Sequence, residues 1–216
     1  MHNLVMSAWR VYQGEPLATR VHVVGRVLTC PFGPLIEQFP LSGTVLDVGC
    51  GHGLLINFLA RDPSRSALRL YGIDHDAGKI ERAHRTGLGK ADFSTRTLPS
   101  LTDGNFDVLS IVDVLYTIKR EDWDDFLAHC YRLLRPGGRL IVKEVVDRPR
   151  WKYWMIMAQE TLSVRLIGIT KGERPHIESP AVHRAAMTTA GFRVIEDQPL
   201  ASTNWISHHL FVGHKA

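Results

Sequence analysis

A short run of glycines behind a carboxylate is the part of this sequence best suited to chemistry: Asp47, then Gly49-Cys50-Gly51-His52-Gly53. Glycines so closely spaced let backbone approach a ligand, and the following LLINFLAR is helical in pattern, so a helix N-terminus faces the same place. The spacing is G-x-G-x-G. A dinucleotide fingerprint, G-x-G-x-x-G, needs glycine at position 54, where Leu54 stands. Asp47 would repel a pyrophosphate and suits a ligand carrying an ammonium group. Cys50 lies inside the turn with no base placed beside it by the sequence, so it reads as a small packing residue rather than a nucleophile. Further along, Asp74 closes the run LRLYGID, and His208 and His209 open the last apolar run. An imidazole is the side chain best matched to removing a proton near neutral pH.

Alternating short apolar runs and helix-length amphipathic patterns must position these residues. The strand-like runs are 44–49, 68–74, 91–95, 106–113, 139–146, 192–200 and 207–215. Helices are predicted near 53–62, 76–86, 121–135 and 179–190, with Asp76 and Ser179 suited to capping and Gly137-Gly138 and Gly191 suited to stopping them. Strand and helix in alternation predict an α/β fold, a parallel sheet wound with helices on both faces. The connection between the last two strands is too short for a helical crossover, so these pair antiparallel. Residues 1–40, apolar at roughly helical spacing, predict one or two helices packed over the carboxyl edge of the sheet.

With 216 residues, 44% hydrophobic and 22% charged, the chain has the composition of one globular domain rather than of a disordered segment. No apolar run reaches the ~18 residues of a membrane span, and the first residues lack a signal-peptide pattern. Three cysteines without C-x-x-C spacing argue against a disulfide framework or a structural zinc site and fit a cytoplasmic location. The net charge of +4 is concentrated between Arg148 and Arg174, which holds six basic residues against two acidic ones. A single basic segment is unlike the long basic stripe of a nucleic-acid-coating protein.

VLDVGCGHG resembles the first motif of the class I S-adenosylmethionine-dependent methyltransferases. LYGIDHD, DGNFDVLSIVDVLYTI and LLRPGGRLIVKEV resemble the motifs that follow, in the same order, so the resemblance covers residues 44–146 and the closing hairpin extends it. It implies a Rossmann-like, doubly wound seven-stranded sheet in order 3-2-1-4-5-7-6 with only the last strand antiparallel. The divisions expected are a helical cap at 1–40, a cofactor-binding core at 41–146, a substrate-side segment at 147–180 and a closing helix and hairpin at 181–216. The cofactor implied is S-adenosyl-L-methionine. Its methionine part would lie on the backbone of Gly49, Cys50, Gly51 and Gly53, with Asp47 meeting the amino group, Asp74 the ribose, His75 beside the adenine and Asp113 at the methionine end. The acidic residue that such enzymes often carry four positions before a Leu-Pro falls here on Ser94. The backbone of Leu98 is therefore taken for the adenine, with a hydroxyl of Ser94 or Thr95, or a shifted Asp92, as alternatives for its amino group.

The substrate side rests on residues 1–40 and 147–180. RPRWKYWMIMAQETLSVRLIGIT mixes cations with Trp151, Tyr153 and Trp154 before an apolar run. It reads either as the lining of a greasy substrate entrance or a peripheral membrane contact, or as a helix that merely covers the sheet. The function expected is methyl transfer to a small lipophilic or aromatic molecule. The alternatives are an RNA methyltransferase and a cofactor-binding protein without turnover. His209, oriented by Asp147, is the expected base, with His208, Tyr116 and His176 as further catalytic candidates; at most one of the adjacent histidines can face the cleft.

Overall fold

In a computed structural model, the structure describes residues 2–86, 89–102, 104–147, 176–201 and 206–216. Three helices, α1 (His2–Val11), α2 (Leu17–Thr29) and α3 (Phe32–Glu37), precede the sheet. The strands are β1 (Ser42–Val48), β2 (Ala67–Asp74), β3 (Ala91–Thr95), β4 (Phe106–Val112), β5 (Leu134–Val145), β6 (Arg193–Leu200) and β7 (His208–His214). Between them run α4 (Leu54–Arg61), α5 (Ala77–Thr86), α6 (Trp123–Leu133) and α7 (Pro180–Thr189). The sheet order is 3-2-1-4-5-7-6, parallel from β3 to β5, with β7 antiparallel to both β5 and β6. The architecture expected from the alternation of runs is the one observed.

Strand alternation divides the core in two. Val45, Val108, Ile141, Leu210 and Val212 face the layer of α1 to α5. Leu46, Leu109, Leu140, Val142 and Phe211 face the opposite layer, which contains α6 and α7.

Some local expectations need correction. The cap has three helices rather than one or two, because Pro16 and Pro31 immediately precede α2 and α3 and divide the segment. Helix α6 does not run to a stop at Gly137-Gly138. It ends at Leu133 and the chain passes directly into β5, because Arg135 precedes Pro136, and a residue before proline is pushed out of helical conformation. The two glycines therefore lie within the early part of β5. Asp76 Oδ1 accepts the Lys79 N–H at 3.0 Å, as a capping residue does, whereas Ser179 precedes α7 without a side-chain cap bond.

The turn after β4 is fastened by Trp123, which is wholly buried. Its Nε1 donates to the carbonyls of Leu115 and Ile118 at 3.1 and 3.2 Å, and its ring lies 4.8 Å from that of His183. Replacement of Trp123 by Ala is expected to cost about 3–5 kcal/mol, from lost burial and the cavity left behind. Urea unfolding of the variant against the natural chain measures this; a loss below about 1 kcal/mol would show that the turn is held by other contacts.

Candidate functional site

The parallel strands deliver Asp47, Asp74 and Asp113 to their carboxyl ends, around a cavity of about 310 Å³. The glycine turn forms its floor. Gly49, Gly51 and Gly53 all have positive φ, at 74°, 55° and 76°. A Cβ on Gly49 would come within 2.5 Å of Val114 and one on Gly53 within 2.8 Å of Phe93, so packing alone demands glycine there. Gly51 differs, because a Cβ there would meet nothing within 4 Å although the residue lines the cavity. Its bare surface is open to the cavity.

The amides of the turn do not point at that ligand as the sequence suggested. Gly49 and Cys50 both donate to the Ile73 carbonyl, at 2.8 and 3.0 Å, Gly53 donates to the Cys50 carbonyl at 2.9 Å, and Gly51 donates to Asp74 Oδ2 at 2.9 Å. Asp74 Oδ1 accepts the Asp76 N–H at 2.9 Å. Asp74 thus fixes the loop, and a carboxylate with two engaged bonds still has lone pairs for hydroxyl donors.

Asp47 is buried and accepts a 2.6 Å hydrogen bond from the Ser110 hydroxyl. Burial pushes its pKa up to about 7, against that hydrogen bond, and the neighbouring Asp74 charge adds to the rise. A cation bound beside it would reverse the shift. Burial also pushes the Cys50 thiol well up, with the Asp47 and Asp74 charges adding to it. It stays protonated and is no nucleophile.

The other end of the cavity is built from α2, β4 and β5. Asp113 has a φ of 57°, left-handed for a non-glycine residue. Its amide donates to the Lys143 carbonyl at 2.9 Å, and Lys143 Nζ lies 2.7 Å from both its carboxylate oxygens. Arg26 Nη1 lies 2.8 Å from Oδ2. Burial opposes ionisation of Asp113, but these two cations outweigh it and hold the carboxyl well below its usual range. Asp113 lines the cavity, yet its charge is already matched within the protein. On the other face of the sheet Glu144 Oε1 accepts the Val114 and Leu115 amides, each at 2.8 Å, and fixes the turn that carries Tyr116. Burial, then the Asp113 charge, pushes the Glu144 carboxyl upward.

The expected base is corrected. His209 pairs with Glu144 across the β5–β7 ladder, on the face away from α2, where its Nε2 lies 2.6 Å from Asp197 and its ring stacks 4.6 Å from Phe211. Period-two alternation turns it away from the cavity and makes Asp197, not Asp147, its partner. His208 faces the α2 side, where its Nε2 donates to the Thr29 carbonyl at 2.6 Å. Burial and then Lys143 push its pKa down to about 3, so it stays neutral and does not line the cavity. Tyr116 does line it, and its carbonyl accepts the His176 amide at 2.8 Å, which brings that candidate's backbone to the same turn.

At the outer rim His75 is exposed and is shared with a shallower hollow of about 520 Å³ formed with Thr95, Arg96, Thr97 and Ser100. Among the alternatives at the third strand, this hollow brings in Thr95. Asp92 lies opposite Tyr71, three residues before the end of β3, too early in the strand to reach the rim. Leu98 is buried at the start of a short turn beside this hollow. The residues 148–170, taken for the substrate entrance, lie outside the described residues. Sequence reasoning missed Arg26, Ser110 and Lys143; a lone lysine inside the apolar run RLIVKEVV was the available signal.

Residues 46–142 match the family model described as a methyltransferase domain. A ubiquinone biosynthesis O-methyltransferase of Pseudomonas paraeruginosa is 30% identical over 57% of this chain and 54% of its own length. A tRNA N(3)-methylcytidine methyltransferase of Schizosaccharomyces pombe is 22% identical over 51% of this chain and 39% of its own. The chain thus spans about half, or less, of the length of these curated relatives. The crystal structure of a magnesium protoporphyrin IX methyltransferase from Synechocystis with bound SAH superposes with a TM-score of 0.69 at 20% identity, over 98% of this chain and 94% of that one.

The ionic cluster at Asp113 is also a stability element. Lys143→Met leaves a buried carboxylate with Arg26 alone, and breaking such a pair is expected to cost up to about 3–5 kcal/mol. Guanidinium unfolding reads the loss; an unchanged midpoint would show that Arg26 alone compensates Asp113.

Proposed function

We propose that this chain, whose residues 46–142 match a methyltransferase domain, belongs to the class I S-adenosylmethionine-dependent methyltransferases and that the whole protein transfers a methyl group from S-adenosyl-L-methionine to a small apolar or aromatic molecule. The observation that carries this reading is Gly51, a left-handed glycine open to the cavity between Asp47 and Asp74. The cofactor supplies an electrophilic methyl group on a sulfonium. In this reading Asp47 receives the ammonium of the amino-acid part, and Asp74 accepts the ribose hydroxyls with the lone pairs that Gly51 and Asp76 leave open. His75 and the rim at Thr95 to Thr97 flank the base. Val23, Phe32 and Val112 supply an apolar wall for the acceptor. What the protein contributes to the reaction is mainly alignment of acceptor and methyl group. The three described cysteines, all unpaired and buried, support a reducing, cytoplasmic setting.

Incubation of the purified protein with methyl-labelled cofactor, a small-molecule extract and tRNA tests this reading. Label is expected in the organic-soluble fraction. Label in tRNA would establish the RNA alternative instead, and cofactor binding without any transfer would establish a binding protein.

Asp47 gives the cofactor site a definite pH response. In the free protein its carboxyl is protonated below about 7, and an ammonium binds the ionised form. Affinity is therefore expected to rise with pH, by up to about tenfold per unit, until pH reaches about 7 and then to level. Calorimetry should detect a proton released on binding below that pH; a flat affinity from about 5.5 to 7.5 would remove Asp47 from the ammonium site. Asp74→Ala is expected to weaken cofactor binding by ~1.5–3 kcal/mol, and an unchanged dissociation constant would refute the ribose assignment.

A further inference from the structure

Among the described residues, the far wall of the cavity sets two cations against one carboxylate. Lys143, wholly buried, and Arg26 converge on the single carboxylate of Asp113. Among the described residues facing them, Glu144 and Cys30 are pushed towards their neutral forms chiefly by burial, His208 is held neutral on Thr29, and Tyr116 is a phenol, so Asp113 is the carboxylate that answers both cations. The Arg26 side chain is one-third exposed where it lines the cavity, and its Nη1 lies 2.8 Å from Asp113. A guanidinium has further donors in a planar fork that matches a carboxylate. Around it lie Val23, Phe32 and Val112, which suit an apolar body rather than a polar one.

We infer that Arg26 is a carboxylate receptor and that the methyl acceptor is an apolar or aromatic carboxylic acid, bound through its acid group beside Asp113. This rests on the methyltransferase reading given above and narrows it. The second strand of the argument is the placement of the histidines. His209 lies on the opposite face and His208 is committed to Thr29, so neither of these two expected bases removes a proton from an acceptor in the cavity, which His22, His52 and Tyr116 do line. A carboxylate needs no such step, because it is already ionised at neutral pH. Its oxygen supplies the electron pair for the new carbon–oxygen bond, the carbon–sulfur bond of the donor breaks with its pair retained by sulfur, and the products are a methyl ester and the neutral thioether. No proton changes hands. Arg26 is then a specificity residue that orients one acceptor oxygen while the other meets the methyl group.

The test uses the whole protein saturated with S-adenosylhomocysteine and titrated with benzoate or with benzamide, its neutral analogue of nearly equal shape. Benzoate is expected to bind in the millimolar range and benzamide at least about tenfold more weakly, with Arg26→Gln abolishing the preference and Arg26→Lys retaining part of it. The comparison of the two probes on the natural chain stands even where a variant fails to fold. With labelled cofactor and extract, the label should be released as methanol by mild alkali, as from a methyl ester. Equal binding of the two probes, no binding of benzoate, or alkali-stable label overturns the inference while leaving the methyltransferase reading intact. So does a loss of S-adenosylhomocysteine affinity in Arg26→Gln without benzoate binding to the natural complex, which would assign the guanidinium to the cofactor's own carboxylate. Failure of the natural protein to bind S-adenosylhomocysteine overturns both.

Discussion

Three carboxylates are brought to the carboxyl ends of the neighbouring strands β2, β1 and β4, where the Asp74 charge already raises the Asp47 pKa, and the site is organised around how each is accommodated. Asp74 is held by the amides of Gly51 and Asp76. Asp47 is held by Ser110 and shares its charge with a proton near neutral pH. Asp113 is held by two cations. The difference this produces, from a carboxylate held by a hydroxyl at β1 to one held by two cations beyond β4, gives the cleft a polarity that apolar packing could not supply.

The same arrangement ties the N-terminal helices to the sheet. Arg26 reaches from α2 to the end of β4, Thr29 accepts from His208 on β7, and the Tyr12 hydroxyl donates to the His52 carbonyl in the glycine turn at 2.6 Å. Glu15 receives both Nε and Nη2 of Arg85 from α5, at 2.8 and 3.0 Å. The ties of Arg26, Tyr12 and Glu15 join cap residues to elements that border the cavity, and that of Thr29 joins the cap to β7, so the position of the cap and the shape of the cavity are set together. The left-handed backbone at Asp113 belongs to this arrangement, for the main-chain bond from its amide to Lys143 and the side-chain pair act on the same residue.

Strand order and the glycine turn were legible in the sequence because both follow from local pattern: apolar runs of strand length, crossovers long enough for helices, and glycines where φ must be positive. The cofactor-side candidates Asp47, Gly51 and Asp74 lie on that turn or at the ends of the strands beside it, where short-range spacing fixes their position. The acceptor side depended on contacts that no spacing encodes. His208 and His209 differ by one residue, and which of them faces α2 is set by the β5–β7 register, in which Glu144 stands opposite His209. Arg26 and Asp113 are far apart in the chain and meet only because α2 folds back across the sheet. Lys143 was visible as an anomaly in an apolar strand, but its partner was not.

The inward direction of the turn amides decides what kind of ligand this glycine-rich loop can hold. In a phosphate-binding loop the free N–H groups and the helix N-terminus converge on the anion. Here Gly49, Cys50, Gly51 and Gly53 all donate to acceptors within the protein, so the loop offers a ligand its bare glycine surface and carbonyl edges instead. A pyrophosphate laid on this surface would find those donors engaged and face Asp47 and Asp74 at once, with Lys79 the cation that lines the cavity on the same side. A ligand with an ammonium near Asp47 and hydroxyls near Asp74 meets acceptors at both points. The missing glycine at position 54 and the carboxylate at position 47 therefore act in one direction: the turn amides are spent inside the protein, and the carboxylates beside them disfavour a polyanion.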